Sequence, residues 1–216
     1  MAWSDRGRGR RGYHHGNLKE ALINAALELI AAKGPLGFTF AEAARSAGVS
    51  QAAPYRHFRD RDELMVDVAI RGFERFEVAL AKAWNDGVPN PLAAFENLGK
   101  AYLAFARAEP AYYAAMFEAA IPLDSNPGLQ EASERAFAVL REASEVVCAR
   151  LPKDRRPPAL MMALHMWALA HGVASLFGRG DAARRKLPMS PEDLLEAGVL
   201  IYLQSLGLAG GQKAGS

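Results

Sequence analysis

Apolar residues recur at three- and four-residue spacing along almost the whole chain, as in helices that bury one face. Leu18, Leu22, Ala25, Ala26, Leu29 and Ile30 form the first such stripe. Asn17 is placed to cap it, and Lys33, Gly34 and Pro35 to end it. Thr39 with Glu42 three residues on reads as a capping box opening a short second helix, which Gly48 stops. Ser50 is placed to cap a third, carrying Gln51, Tyr55, Arg56 and His57. A long fourth helix is predicted from about Arg61 to Trp84, with Leu64, Val68, Phe73 and Phe76 on its apolar stripe. Further helices are expected over 92–108, 111–119, 127–150, 159–177 and 191–206, separated by proline-containing breaks. No alternating β-branched run bounded by hairpin turns stands out, and no solenoid-like repeat.

Composition adds bounds to this all-α picture. Half of the 216 residues are hydrophobic, enough for a core without disulfides or metal. The single cysteine, Cys148, has no intramolecular partner, which fits a reducing cytoplasm. No apolar run is expected to be long enough to cross a bilayer, and the Arg-rich start lacks the apolar core of a secretory signal. Charge is divided unevenly. Residues 1–61 hold ten Lys/Arg against five Asp/Glu, a net +5; the whole chain carries +2, which leaves −3 for the remainder. A basic head on a mildly acidic body suits a polyanion-binding module joined to a different one.

The segment 38–64, FTFAEAARSAGVSQAAPYRHFRDRDEL, carries the most specific signal. Two short helices flank Ala47-Gly48-Val49-Ser50, where Ala47 permits close packing and Gly48 can take a positive φ. The second presents Gln51, Ala52, Tyr55, Arg56 and His57. Gln can bond adenine bidentately, Ala can meet a thymine methyl, and Tyr, Arg and His can reach phosphate. This run, with Tyr55-x-His57-Phe58 and Asp62-Glu63-Leu64, resembles the helix-turn-helix of TetR-type regulators over about residues 13–65. Tyr13–Leu18 looks like the lead-in of one branch, and Trp167-x3-His171-Gly172 resembles that branch's C-terminal Trp-His-Gly signature.

The resemblance implies an N-terminal three-helix helix-turn-helix domain plus a C-terminal helical ligand-binding and dimerisation domain, about nine helices in all. Its divisions are a flexible basic arm at 1–12, the DNA-binding domain at 13–62 and the effector and dimer domain at 63–210. The function implied is a sequence-specific transcriptional regulator, a repressor released from a palindromic operator by a small, mostly apolar effector. Thr39, Arg45, Ser50, Gln51, Ala52, Tyr55, Arg56, His57 and Arg61 are the DNA-contact candidates. Gln51 and Ala52 would face base edges, Tyr55 and His57 phosphates, and Arg61 stands where a phosphate-binding Lys is usual. Two departures bear on this: Ala43 replaces a larger aliphatic residue, and Pro54 sits four residues past Ser50. Proline there removes an N–H and disfavours α geometry at Ala53, so a tight, 3₁₀-like start is expected.

Tyr102, Phe105, Tyr113, Met116, Phe117, Met162, Met166 and Trp167 are candidates to line an effector pocket, although at helical spacing they also suit a plain core. Leu195, Val199, Tyr202 and Leu206, with the helix at 160–176, are the expected homodimer seam. Gly172 would let another helix approach closely. His14 and His15 have no companion ligands for a metal, and no cofactor is implied. An enzyme finds no nucleophile–base pair or phosphate loop to rest on. A second rival keeps the DNA-binding head but makes the body a pure dimerisation module.

Overall fold

The computed structural model describes residues 18–178 and 188–208. The basic arm, the Tyr13–Asn17 lead-in and the Asn17 cap therefore lie outside the described residues. Among those residues the architecture is all-helical: α1 (Leu18–Lys33), α2 (Phe40–Ser46), α3 (Arg61–Trp84), α4 (Pro91–Ala108), α5 (Pro110–Phe117), α6 (Pro127–Cys148), α7 (Ala159–Phe177) and α8 (Pro191–Ser205).

Local chemistry sets the ends. Gly34 takes φ 82° just past α1, a conformation that costs a Cβ-bearing residue. Thr39 and Glu42 close the capping box reciprocally: Glu42 N–H donates to Thr39 Oγ1 at 3.2 Å, and Thr39 N–H donates to Glu42 Oε2 at 2.8 Å. Asp60, Asn90, Asn126 and Ser190 cap α3, α4, α6 and α8 with side-chain oxygens.

α3 is the axis of the molecule. Leu64, Met65, Val68, Phe73 and Phe76 are buried along it, and it packs against α1, α4, α5 and α6. Ion pairs bind its flanks: Arg71 holds Glu20 of α1 through two hydrogen bonds of 2.7 and 2.5 Å. Lys19 meets Asp67 at 2.7 Å, and Arg75 meets Glu109 at 2.9 Å at the start of α5.

Two expectations are corrected. Leu195 and Val199 are only 3% exposed. They face inward, where Leu195 Cδ2 lies 3.0 Å from the place a Cβ on Gly99 would occupy. The outward large apolar residues of these two helices are instead Leu160, Met161, Leu164, Trp167 and Leu176 of α7 with Leu200 and Ile201 of α8, the last 67% exposed. Gly172, expected to admit another helix at the dimer seam, has open space around it in the single chain; within the chain a close helix approach falls at Gly198, where an added Cβ would lie 2.9 Å from Leu169 Cδ2. α7, 19 residues with a mean hydropathy of 1.5, is long and apolar enough to cross a membrane. Here it packs between α4, α6 and α8.

Candidate nucleic-acid interface and ligand cavity

The turn forms as its residues dictate. Gly48 takes φ 71°, and Val49 N–H donates to Ala44 O at 3.0 Å. Ala43 and Ala44 are fully buried beneath it. The third helix does not form as an α-helix. Residues 51–53 are turns, and Pro54–Arg56 is a single 3₁₀ turn. Pro54 lacks the N–H that would reach Ser50 O. The bonds shorten accordingly: Ala53 N–H to Ser50 O at 3.0 Å, Arg56 N–H to Ala53 O at 3.2 Å and His57 N–H to Pro54 O at 2.9 Å. Pro54 and Phe58 are buried as anchors, and no side chain caps this turn, so Ser50 does not serve as the expected cap.

Gln51, Ala52, Tyr55, Arg56 and His57 are exposed together on this face, and Thr39, Arg45 and Ser50 are exposed around it. Tyr55 stands edge-on to Phe40, ring centroids 5.2 Å apart, with Gln51 and Ala52 beside the same small cleft. Arg61 is placed differently from a free phosphate ligand. Its Nε donates to Phe38 O at 3.0 Å, its Nη2 to Pro35 O, and its Nη1 to Asp62 at 3.0 Å. The guanidinium also covers the Phe38 ring at 4.8 Å. It clamps the chain entering α2 against the start of α3.

Behind α3 lies a cavity of about 440 Å³. Its walls come from α3 (Phe73, Phe76, Leu80), α4 (Leu98, Gly99, Tyr102), the α5 end (Met116, Phe117), α6 (Ser133, Ala136, Phe137, Leu140) and α7 (Met166, Trp167, Ala170). Glu134, Leu123 and Leu164, all exposed, edge the opening. Of the pocket candidates, Tyr102, Met116, Phe117, Met166 and Trp167 line the space. Phe105, Tyr113 and Met162 do not: Met162 is fully buried with its sulfur 3.7 Å from Cys148 Sγ. The residues missed by sequence reading belong mostly to α3 and α6, whose apolar positions look like any core stripe.

His171 sits behind the cavity wall. Its Nδ1 lies 2.9 Å from the Tyr102 hydroxyl and 3.0 Å from the Tyr113 hydroxyl. Burial holds its pKa below the usual value, partly opposed by the Glu118 charge. In the neutral ring Nδ1 accepts from a tyrosine O–H when the proton sits on Nε2, and donates to a hydroxyl oxygen when Nδ1 carries it. Burial likewise pushes both tyrosines up, so both stay protonated.

Comparison with known proteins agrees with this geometry. Residues 22–68 match the family described as bacterial regulatory proteins, tetR family, and residues 95–202 match the tetracyclin repressor-like C-terminal domain. No curated protein matches the chain. Among solved structures, a protein of unknown function from Rhodococcus sp. RHA1 is 28% identical with a TM-score of 0.75, covering 91% of this chain and 98% of that one. The TetR family transcriptional regulator PfmR from Thermus thermophilus is 17% identical, TM-score 0.64, covering 89% and 99%. The fatty acid degradation regulator FadR from Bacillus halodurans is 14% identical, TM-score 0.67, covering 93% and 99%. The last two share the fold. With an N-terminal helix-turn-helix and a C-terminal domain both matched, the chain belongs to the TetR family of bacterial transcriptional regulators.

Proposed function

We propose that this regulator is a repressor that binds a palindromic operator as a homodimer and is released by a small, mostly apolar effector. The observation that carries the effector part is the aromatic cavity of about 440 Å³, within the size range of small-molecule sites. A pure dimerisation module would have no use for such a space against α3. Residues 13–62 make up the DNA-binding part in this reading, with Gln51 and Ala52 at base edges and Tyr55 and His57 at phosphates. Thr39, Arg45, Ser50 and Arg56 flank them. Arg61 serves by fixing the α2–α3 corner. Residues 63–210 form the effector and dimer part. The outward Leu160, Met161, Leu164, Leu200 and Ile201 supply an apolar seam for a second copy. The Trp167-x3-His171-Gly172 run supports the Trp-His-Gly branch, since Trp167 lines the cavity and His171 backs it.

Selection of bound DNA from random sequence, followed by footprinting, tests the first part: a two-fold symmetric site with half-sites about one helical turn apart is expected. Calorimetry with and without that operator tests the second. An effector that releases DNA must bind the operator complex more weakly by the factor with which it weakens DNA binding. Equal affinity in both states refutes release.

A further inference from the structure

We infer that the cavity selects its effector by charge, admitting a neutral or singly cationic aromatic molecule and rejecting carboxylates and phosphates. This rests on the effector reading above and names the ligand class for that same site. Six rings surround the space: Phe73, Phe76, Tyr102, Phe117, Phe137 and Trp167. They are set at varied angles. Phe76 meets Tyr102 edge-on at 5.0 Å, Phe137 meets Trp167 at 6.1 Å, and Tyr102 and Phe117 stack at 6.4 Å. Such walls offer both edges and faces, and faces attract cations.

Among the described residues, no Lys or Arg lines the cavity; its one acidic residue is Glu134, at the opening. Glu134 accepts a hydrogen bond from Gln130 Nε2 at 2.8 Å and forms no ion pair among the described residues. The neighbouring Arg135 is directed elsewhere, to Glu77 at 3.1 Å and Glu131 at 3.0 Å. Ser133 spends its proton on Gln130 O at 2.8 Å. An anion entering here would lose its water, pass a carboxylate and find no cationic donor, which is the costly case of burying a charge. A neutral molecule has no ionic hydration to lose on entry, and a cation meets aromatic walls with Glu134 at the opening.

Three probes share one naphthalene ring and differ in charge: 2-naphthalenemethanol, (2-naphthylmethyl)trimethylammonium and 2-naphthoate. Their binding to the full-length protein is measured by calorimetry at neutral pH without DNA, so operator release plays no part. The alcohol and the ammonium should bind, with 2-naphthoate at least about a hundredfold weaker. Glu134→Gln, at an exposed position, should lower the ammonium-to-alcohol affinity ratio by about threefold. Naphthoate binding within about tenfold of the ammonium overturns charge selection while leaving the cavity as a ligand site. An unchanged ratio in Glu134→Gln overturns the part given to that residue. Failure of all three probes at millimolar concentration overturns both this inference and the effector reading beneath it.

Discussion

Filling the cavity from Ala170 asks whether the space is real and what it is for. Ala170 is 3% exposed on α7 and lines the cavity. Ala170→Leu adds three carbons. At roughly 0.8 kcal/mol per buried carbon they contribute about 2.4 kcal/mol. Fixing the new side chain costs about 0.5–1 kcal/mol. The net is about 1.5 kcal/mol of added stability, which for a chain of this length raises Tm by roughly 3–6 °C. Ala163 provides the contrast, because it is fully buried on the same helix but does not line the cavity. There the same substitution overpacks and should cost about 1–3 kcal/mol. Urea unfolding at fixed protein concentration measures both variants, and 2-naphthalenemethanol titration reports whether Ala170→Leu has occupied the ligand space. If Ala170→Leu destabilises as much as Ala163→Leu, the space is not available and the reasoning fails.

Four further outcomes follow from the same geometry. Arg61→Ala removes the clamp on Phe38 O and Pro35 O and should lower stability by about 1.5–3 kcal/mol, with Arg61→Lys recovering little; full rescue by Lys in urea unfolding would refute the clamp. Thr39→Ala breaks the α2 capping box and should cost about 1 kcal/mol in the same assay; a neutral result would remove the cap from the account. Because burial keeps folded His171 neutral, the unfolded chain binds its proton first as pH drops below the usual value of 6.5. Stability should therefore fall below that pH, and His171→Gln should flatten the slope; stability rising from pH 7 to 5 would contradict the assignment. Ile201→Glu with Leu164→Glu should convert a dimer into monomers in sedimentation and abolish tight operator binding; an intact dimer would move the seam elsewhere.

The helices were legible where caps and proline breaks coincide with apolar spacing. α7 matches its expected span, and α1 and α3 end at the expected residues, Lys33 and Trp84. The 3₁₀ turn at Pro54 was legible in one cause, the missing N–H; the expected bar to α geometry at Ala53 does not hold, since Ala53 takes φ −63°, ψ −40°, and the α-helix expected after the turn does not form. The cavity was half legible. Trp167 and Met166 stand out by type, whereas Phe73 and Phe76 differ from ordinary core residues only in what faces them. The dimer stripe was misread for a related reason. On α8, an inward and an outward apolar face coexist, and heptad spacing alone does not say which of Leu195 and Ile201 meets solvent.

The unbroken course of α3 gives the cavity a mechanical advantage. From Phe73 to Arg61 is twelve residues of continuous helix, a rigid arm of about 18 Å. A ligand that tilts this arm by about 5° at the phenylalanines swings its far end by about 1.5 Å, and two arms moving oppositely change the span between paired heads by about 3 Å. Because Arg71 ties α1 to the same arm, the head would travel with it as one body. On the proposed release by an effector, even a small angular adjustment around a bound ring would be converted into a change in spacing large enough to take phosphate contacts out of hydrogen-bond range.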